Sequence, residues 1–224
     1  MNTEQFAALR QQMVLEIATH SVLLIDRLGR SNLDSRVMEV MGKVPRHEYV
    51  PLEIQPYAYL NRPLPIGFDK TISQPFIVAL MTDLLNIQDD DTILEIGTGL
   101  GYQAAVLAEL AKKVYSVEMI EALATQAQNR IERAGYKNVE IRVGNGSLGW
   151  PEHAPFDKVI VTAAPDLIPT PLINQLKSGG RMVIPAGLPD NQQLMLVEKN
   201  AEGRLTTKEI LPVRFSELEG TESV

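Results

Sequence analysis

A glycine-rich turn after a short apolar segment is the feature that most constrains the fold. Residues 92–96 (Thr-Ile-Leu-Glu-Ile) are typical of a buried strand, and Gly97, Gly99 and Gly101 follow at alternate positions. Residues 101–110 then have the apolar spacing of a helix. Glycine permits tight backbone angles and lets a ligand approach the main chain closely. This order of strand, turn and helix predicts a ligand site at the carboxyl end of a strand in an α/β sheet.

Strand-like and helix-like segments alternate after residue 75, and this alternation indicates the fold class. We predict α/β architecture: a doubly wound, mostly parallel Rossmann-like sheet with helices on both faces. Two further segments, 193–199 and 205–213, are expected to add an antiparallel pair. A single sequence does not predict the strand order. The other predicted strands are 113–117, 139–143, 158–162 and 181–185, the last after a turn at Gly179-Gly180, and the predicted helices are 76–85, 120–134 and 171–176.

Residues 1–75 have a different pattern and form an N-terminal helical and extended appendage, which we expect to belong to the same domain as the core at 76–224. Apolar spacing predicts one helix over residues 4–28, ended by Gly29, and a short second helix over 37–44. Six prolines punctuate residues 45–75. That stretch is therefore predicted to wrap around the core in extended form.

Composition excludes several classes of site and partner. The net charge of −7 opposes a nucleic-acid partner, since such proteins need a basic surface. The absence of cysteine excludes disulfides, thiolate catalysis and zinc-cysteine sites, and the three histidines (His20, His47 and His153) lack metal-ligand spacing, so no metal is expected. The start of the chain does not resemble a secretory signal, and no apolar run could span a bilayer. We expect a soluble, cytoplasmic protein without membrane partners, most simply a monomer.

The glycine turn differs from a dinucleotide fingerprint, which has two residues before its third glycine, whereas Gly99 and Gly101 are separated by one. Glu95 precedes the turn, Glu118 follows the second core strand, and Asn145 follows the third. These positions suit the ammonium group, the ribose hydroxyls and the adenine amine of S-adenosyl-L-methionine, respectively. A glycine triplet alone could be an ordinary tight turn, but three polar residues at successive strand ends favour this cofactor.

Several segments resemble the protein-L-isoaspartate (D-aspartate) O-methyltransferase family over roughly residues 36–215. The most distinctive is Thr-Ile-Ser-Gln-Pro at 71–75. The other matching segments are 44–51, 58–59, 63–67, 94–103, 154–157, 162–165, 179–181 and 185–187.

The resemblance implies a methyltransferase that esterifies the α-carboxylate of L-isoaspartyl residues in damaged proteins, which initiates repair through a succinimide. It places Ser73 at the catalytic centre, although Ser73 could instead be the N-cap of the helix after Pro75. A carboxylate is already ionised at neutral pH, so no general base is required. The implied cofactor-binding residues are Thr71, Ile72, Glu95, Gly97, Thr98, Gly99, Gly101, Glu118, Met119, Asn145 and Gly146, and the implied substrate-binding residues are Pro65, Ile66, Gly67, Val213 and Phe215.

Four departures from the family pattern concern acceptor specificity: Asn61, Phe68-Asp69-Lys70, Asn145 and Ser216-Glu217. They leave two alternatives open. One is a related carboxyl O-methyltransferase that acts on another peptide or protein. The other is a cofactor-binding interaction protein with reduced catalysis. A nucleic-acid methyltransferase is disfavoured, because residues 164–167 lack the Pro-Pro-aromatic motif of amino-methylating DNA enzymes.

Overall fold

A seven-stranded sheet forms the centre of the protein in a computed structural model that describes residues 1–220. The strands are β3 (Thr92–Ile96), β4 (Lys113–Glu118), β5 (Val139–Val143), β6 (Phe156–Val161), β7 (Leu176–Ala186), β8 (Gln192–Lys199) and β9 (Leu205–Val213), while β1 (Leu64–Gly67) and β2 (Lys70–Ile72) form a separate hairpin. The strand order is β5-β4-β3-β6-β7-β8-β9; the first five are parallel, and β8 and β9 are antiparallel. The predicted sheet and its antiparallel pair are therefore confirmed.

The chain winds outward from β3 in both directions, since β4 and β5 lie on one side and β6 and β7 on the other. The order reverses between β3 and β6, and ligands of open α/β sheets bind at the carboxyl ends of strands beside such a point. The sheet topology thus places a binding crevice directly after Ile96 and Val161.

Helices cover the sheet and continue into the N-terminal region. They are α1 (Thr3–Val22), α2 (Ile25–Leu28), α3 (Ser35–Lys43), α4 (Pro75–Leu85), α5 (Tyr102–Ala108), α6 (Glu121–Arg133) and α7 (Thr170–Gln175). One hydrophobic cluster includes buried side chains from α1, from α4 and from the sheet, such as Ile17, Leu80 and Ile160. Side chains of α1 therefore pack in the same hydrophobic cluster as those of α4 and the sheet.

The prediction of one helix over residues 4–28 is wrong, because the helix is interrupted between α1 and α2. Leu23 is 79% exposed, so the apolar pattern is not a buried face at this point. The buried Ser21 hydroxyl donates to the Ser31 carbonyl, which draws the following chain back against α1. Gly29 ends α2 in the left-handed conformation (φ 72°), as expected.

Two other local predictions need correction. Residues 45–75 are not simply extended, because they contain 3-10 helices at Arg46–Tyr49 and Leu52–Tyr57 and the β1–β2 hairpin. The Gly179-Gly180 pair lies within β7 rather than before it, at an irregularity in the pairing with β6. Gly180 has no space for a side chain there, since a Cβ would lie 2.8 Å from the Asp157 carbonyl oxygen.

Within residues 1–220, no helix combines the length and apolar character needed to cross a membrane. The same residues contain no cluster of three His, Asp or Glu side chains that could hold a metal ion.

Candidate active site

A cavity of about 640 Å³ opens at the carboxyl ends of β3, β4 and β6. One wall is the glycine turn and the end of β4; the opposite wall comes from the segment after β2 and from the chain that follows β9. Ten residues predicted for the site line it: Ile66, Thr71, Ser73, Gly97, Gly99, Glu118, Met119, Gly146, Val213 and Phe215.

The turn after β3 requires glycine for both conformational and steric reasons. Gly97 and Gly99 have φ values of 93° and 56°, in the left-handed region that favours glycine. The Thr162 hydroxyl donates to the carbonyl of Gly97 at 2.7 Å, and a Cβ on Gly97 would overlap that hydroxyl. Sequence reasoning missed Thr162, although its position directly after β6 was a usable signal.

Glu118 lies at the end of β4 with its carboxylate at the cavity wall. One oxygen accepts from Gly99 N at 2.8 Å, and the other accepts from Ile120 N at 3.0 Å. A carboxylate has about four acceptor positions, so both oxygens can accept further hydrogen bonds. Glu118 therefore fits the predicted contact with ribose hydroxyls.

Glu95 lies behind the cavity wall rather than at its surface. Its side chain is fully buried and accepts a hydrogen bond from the Ser116 hydroxyl, while Oε1 has no partner among the described residues. Burial raises the pKa of Glu95 to about 8, because the charged form loses its hydration. The structure does not bring Glu95 to the cavity, so its contact with the cofactor ammonium group remains a prediction.

Asn145 caps the short 3-10 helix Gly146–Leu148, since its side-chain oxygen accepts from Ser147 N at 2.9 Å. Its amide nitrogen donates to the Gly220 carbonyl at 3.0 Å. Both ends of the amide are therefore engaged, and the adjacent Gly146 lines the cavity instead. The predicted adenine contact of Asn145 remains a prediction.

The hydroxyl of Ser73 is available to the cavity. The N-cap of α4 is Gln74, and the Phe76 amide donates to the side-chain oxygen of Asn61 at 3.0 Å. The interpretation of Ser73 as an N-cap is therefore wrong, because Asn61 meets that requirement. No hydrogen bond from the Ser73 hydroxyl to residues 1–220 is present, so the hydroxyl can donate to a bound ligand.

Arg46 holds Ser73 in place, and sequence reasoning did not predict this role. The guanidinium is fully buried, donates to the carbonyls of Ala58 and Ser73, both at 2.7 Å, and lies 4.9 Å from the centre of the Tyr102 ring. Burial lowers the pKa of Arg46 to about 10, so the group stays charged at neutral pH. This fixed cation positions the backbone of the segment that carries Ser73.

The remaining predicted residues surround the cavity without all reaching it. Ile72 and Thr98 line a small neighbouring pocket of about 50 Å³. Gly101, which precedes α5, has a φ of 94° and packs against Ala127 of α6. Pro65 and Gly67 lie in β1 and do not line the cavity.

Residues 214–220, here called the C-terminal strap, follow β9, and residues 214–219 line the cavity. Ser216 accepts from Ala164 N at 2.8 Å, and Leu218 donates to the Ala164 carbonyl at 2.9 Å. Glu219 pairs with Lys70 of β2 at 2.6 Å. The strap therefore connects the sheet with the β1–β2 hairpin and contributes much of one wall.

Comparison with known proteins places these features in context. The family model described as protein-L-isoaspartate(D-aspartate) O-methyltransferase matches residues 19–223. A protein-L-isoaspartate O-methyltransferase 1 of Polaromonas sp. strain JS666 is 64% identical over 99% of this chain and 94% of its own length. A protein-L-isoaspartate O-methyltransferase 2 of Syntrophobacter fumaroxidans is 56% identical, over 97% and 88%.

Solved structures show the same architecture. A structure named protein-L-isoaspartate O-methyltransferase superposes with a TM-score of 0.80 at 28% identity, covering 94% of this chain and 66% of that chain. The present chain thus spans about two thirds of the length of that protein. A Plasmodium falciparum protein, solved with S-adenosyl-L-homocysteine, has a TM-score of 0.73 at 24% identity over 89% and 98% of the two chains, which supports the fold.

Proposed function

The chain belongs to the protein-L-isoaspartate (D-aspartate) O-methyltransferase family, and we propose that it methylates L-isoaspartyl residues in proteins at the cavity described above. S-adenosyl-L-methionine is the methyl donor, and the acceptor is the free α-carboxylate of the isoaspartyl residue. The observation that carries the residue assignment is the shared cavity. Glu118 and the glycine turn form its cofactor end, and the free hydroxyl of Ser73 lies in the same cavity.

The cofactor end offers groups that match the proposed ligand. Glu118 accepts the ribose hydroxyls with the lone pairs that its two backbone contacts leave free. Gly97 and Gly99 let the methionine portion lie against the main chain, where a side chain would obstruct it. Gly146 has no Cβ and provides a flat surface for the adenine ring.

The reaction requires alignment more than proton transfer. The cofactor supplies a methyl group on a sulfonium; a carboxylate oxygen bonds to the methyl carbon while the carbon–sulfur bond breaks and its electron pair stays on sulfur. Ser73 donates a hydrogen bond to the carboxylate and orients the attacking oxygen, and Arg46 fixes the Ser73 backbone. The strap excludes water from the reacting atoms.

A labelled-cofactor assay tests the proposal. The purified protein, incubated with radiolabelled S-adenosyl-L-methionine and an isoaspartyl peptide, is expected to form a base-labile methyl ester, whereas the matching aspartyl peptide should not. No ester above the aspartyl control would overturn the proposed activity.

A serine variant tests the site assignment. Ser73→Ala is expected to lower kcat by about 10-fold through lost orientation, with the Kd for S-adenosyl-L-homocysteine unchanged. Ser178→Ala, at an exposed position on β7, is the matched control. Equal kcat values for Ser73→Ala and the wild type would remove Ser73 from the catalytic centre.

A related carboxyl methyltransferase with another acceptor is the second candidate. It is favoured by the observation that Lys70, Ser216 and Glu217, which depart from the family pattern, all line the cavity. A screen of peptides with free aspartyl, glutamyl and C-terminal carboxylates separates the two candidates, because each predicts a different preferred acceptor. An interaction protein with reduced catalysis predicts no transfer to any acceptor.

We further propose a cytoplasmic monomer that does not bind nucleic acid. The net charge of −7 supports the last point, because phosphate backbones attract basic surfaces. Light scattering tests the monomer, a mobility-shift assay with duplex DNA and RNA tests nucleic-acid binding, and cell fractionation tests the location.

A further inference from the structure

Helix α1 brings an imidazole into the wall of the active-site cavity. His20, in the last turn of α1, lines the cavity beside Pro63 and Gln74, and its ring packs against Phe76 with 5.5 Å between ring centres. The sequence alone indicated only that the three histidines lack metal-ligand spacing. The structure places this side chain in the wall of the same cavity as Ser73.

His20 is held by a rigid support. Met13 and Ile17 on the inner face of α1 are fully buried in the core. Arg10 Nε donates to the Gly42 carbonyl at 2.8 Å, and Phe6 stacks on His47 with ring centres 3.8 Å apart. Because α1 is fixed at several points, the imidazole position is preorganised before any ligand binds.

Hydrogen bonding defines which ring nitrogen faces a ligand. Nδ1 lies 2.9 Å from the carbonyl oxygen of Glu16, and a carbonyl only accepts, so Nδ1 carries the hydrogen in the neutral ring. The side-chain nitrogen of Asn61, 3.5 Å from the same Nδ1, could donate only to the other tautomer, and the shorter contact with a group that only accepts assigns the hydrogen to Nδ1. Nε2 therefore holds a lone pair, and it has no partner among residues 1–220.

The contacts of His20 link it to the segment around Ser73. The His20 ring packs against Phe76, Asn61 lies beside its Nδ1, and Gln74 Nε2 donates to the Asn61 carbonyl at 2.9 Å. Glu118 and Gly146 line the same cavity after β4 and β5, where the cofactor is assigned. The rim near His20 is then left for the acceptor peptide.

We infer that His20 is a specificity-determining residue for the acceptor, and that its Nε2 accepts a hydrogen bond from a main-chain N–H of the peptide beside the isoaspartyl residue. This inference rests on the proposed function. Main-chain N–H groups are the donors that every peptide carries, and an isoaspartyl linkage shifts them by one methylene relative to the carboxylate. An acceptor fixed on a rigid helix can therefore detect that shift.

Substitutions of His20 give the first test. His20→Phe keeps a ring against Phe76 but removes the acceptor, and is expected to raise KM for an isoaspartyl peptide by about 5–10-fold, the factor for one neutral hydrogen bond. The kcat and the Kd for S-adenosyl-L-homocysteine should stay within 2-fold. His20→Gln, whose amide can accept near the Nε2 position, should restore most of the peptide affinity. Thr19→Ala, exposed on the same turn, is the matched control.

Peptides that lack one donor complete the test as a double-mutant cycle. Isoaspartyl peptides are synthesised with an N-methyl group at one main-chain nitrogen each. The KM of each peptide is then measured with the wild type and with His20→Phe. For one modified peptide, KM with the wild type should be about 5–10-fold higher than for the unmodified peptide. With His20→Phe, the modified and unmodified peptides should have the same KM. If His20→Phe folds poorly by melting temperature, His20→Ala completes the same cycle.

The inference is overturned if His20→Phe leaves KM unchanged. It is also overturned if every modified peptide raises KM by the same factor with the wild type and with His20→Phe. A wild type that methylates no isoaspartyl peptide would instead contradict the proposed function, so the two failures are distinguishable.

Discussion

The buried carboxyl group of Glu95 should give the folding stability a measurable pH dependence. Burial raises its pKa from an ordinary value of 4.5 to about 8. Between these pH values the folded protein retains a proton on Glu95 that the unfolded chain has released. The stability from this group is therefore fully present below about pH 4.5 and is lost as the pH rises towards 8.

The magnitude follows from the width of this window. One retained proton changes the free energy of unfolding by about 1.4 kcal/mol per pH unit, so the loss between pH 5 and pH 8 is roughly 3 kcal/mol. Glu95→Gln keeps the size of the side chain and the acceptor for Ser116, but does not titrate. Its buried amide N–H group lacks a partner, which costs about 1–3 kcal/mol at every pH.

Urea unfolding of both proteins at pH 5, 6, 7 and 8, followed by circular dichroism, measures the effect. Glu95→Gln is expected to be the less stable protein at pH 5 and to gain on the wild type by about 3 kcal/mol by pH 8. Glu132→Gln, which alters an exposed carboxylate on α6, is the matched control. A difference between Glu95→Gln and wild type that stays constant within about 1 kcal/mol would refute the reasoning.

Three further substitutions test separate features. Gly146→Ala would place a methyl group against Ile96, and calorimetric titration should show at least a 10-fold weaker Kd for S-adenosyl-L-homocysteine; an unchanged Kd would remove Gly146 from the adenine surface. Arg30→Ala would leave the fully buried carboxylate of Asp83 without its cation, and denaturant unfolding should show a loss of about 2 kcal/mol, since Arg30 itself is 46% exposed. Phe68→Gly relieves a left-handed backbone (φ 55°) and should raise Tm by about 1–4 °C, whereas a lower Tm would show that this conformation is not strained.

The sheet was predictable because its signals are local. Apolar strands alternating with helices require a covered parallel sheet, and the strand segments of the core lie where the pattern placed them. The turn at Gly97 was equally visible, since no other residue fits its conformation and its contact with Thr162. Strand order was not predictable, because it depends on contacts between distant segments.

Several residues of the candidate site could be predicted from the sequence, but the directions of their side chains could not. Glu118 and Ser73 carry local sequence signals and line the cavity as expected. Glu95 carries an equally strong signal, but the pleat of β3 directs its side chain to Ser116, which only the pairing of β3 with β4 determines. His20 could not be found from sequence, because more than 40 residues separate it from Phe76 and from every strand of the cavity.

The C-terminal strap is a direct continuation of β9, so one uninterrupted stretch of chain touches both ends of the cavity. Val213 and Arg214 line the cavity at the position proposed for the peptide, while Leu218 lies beside Gly146, which is proposed to contact the cofactor. A ligand that orders the strap would change the free energy of binding the other ligand, and thermodynamic reciprocity would require the same factor in both directions. An isoaspartyl peptide that binds more tightly to the cofactor complex must therefore raise the affinity for the cofactor by the same factor, which makes occupancy of the two subsites a coupled equilibrium.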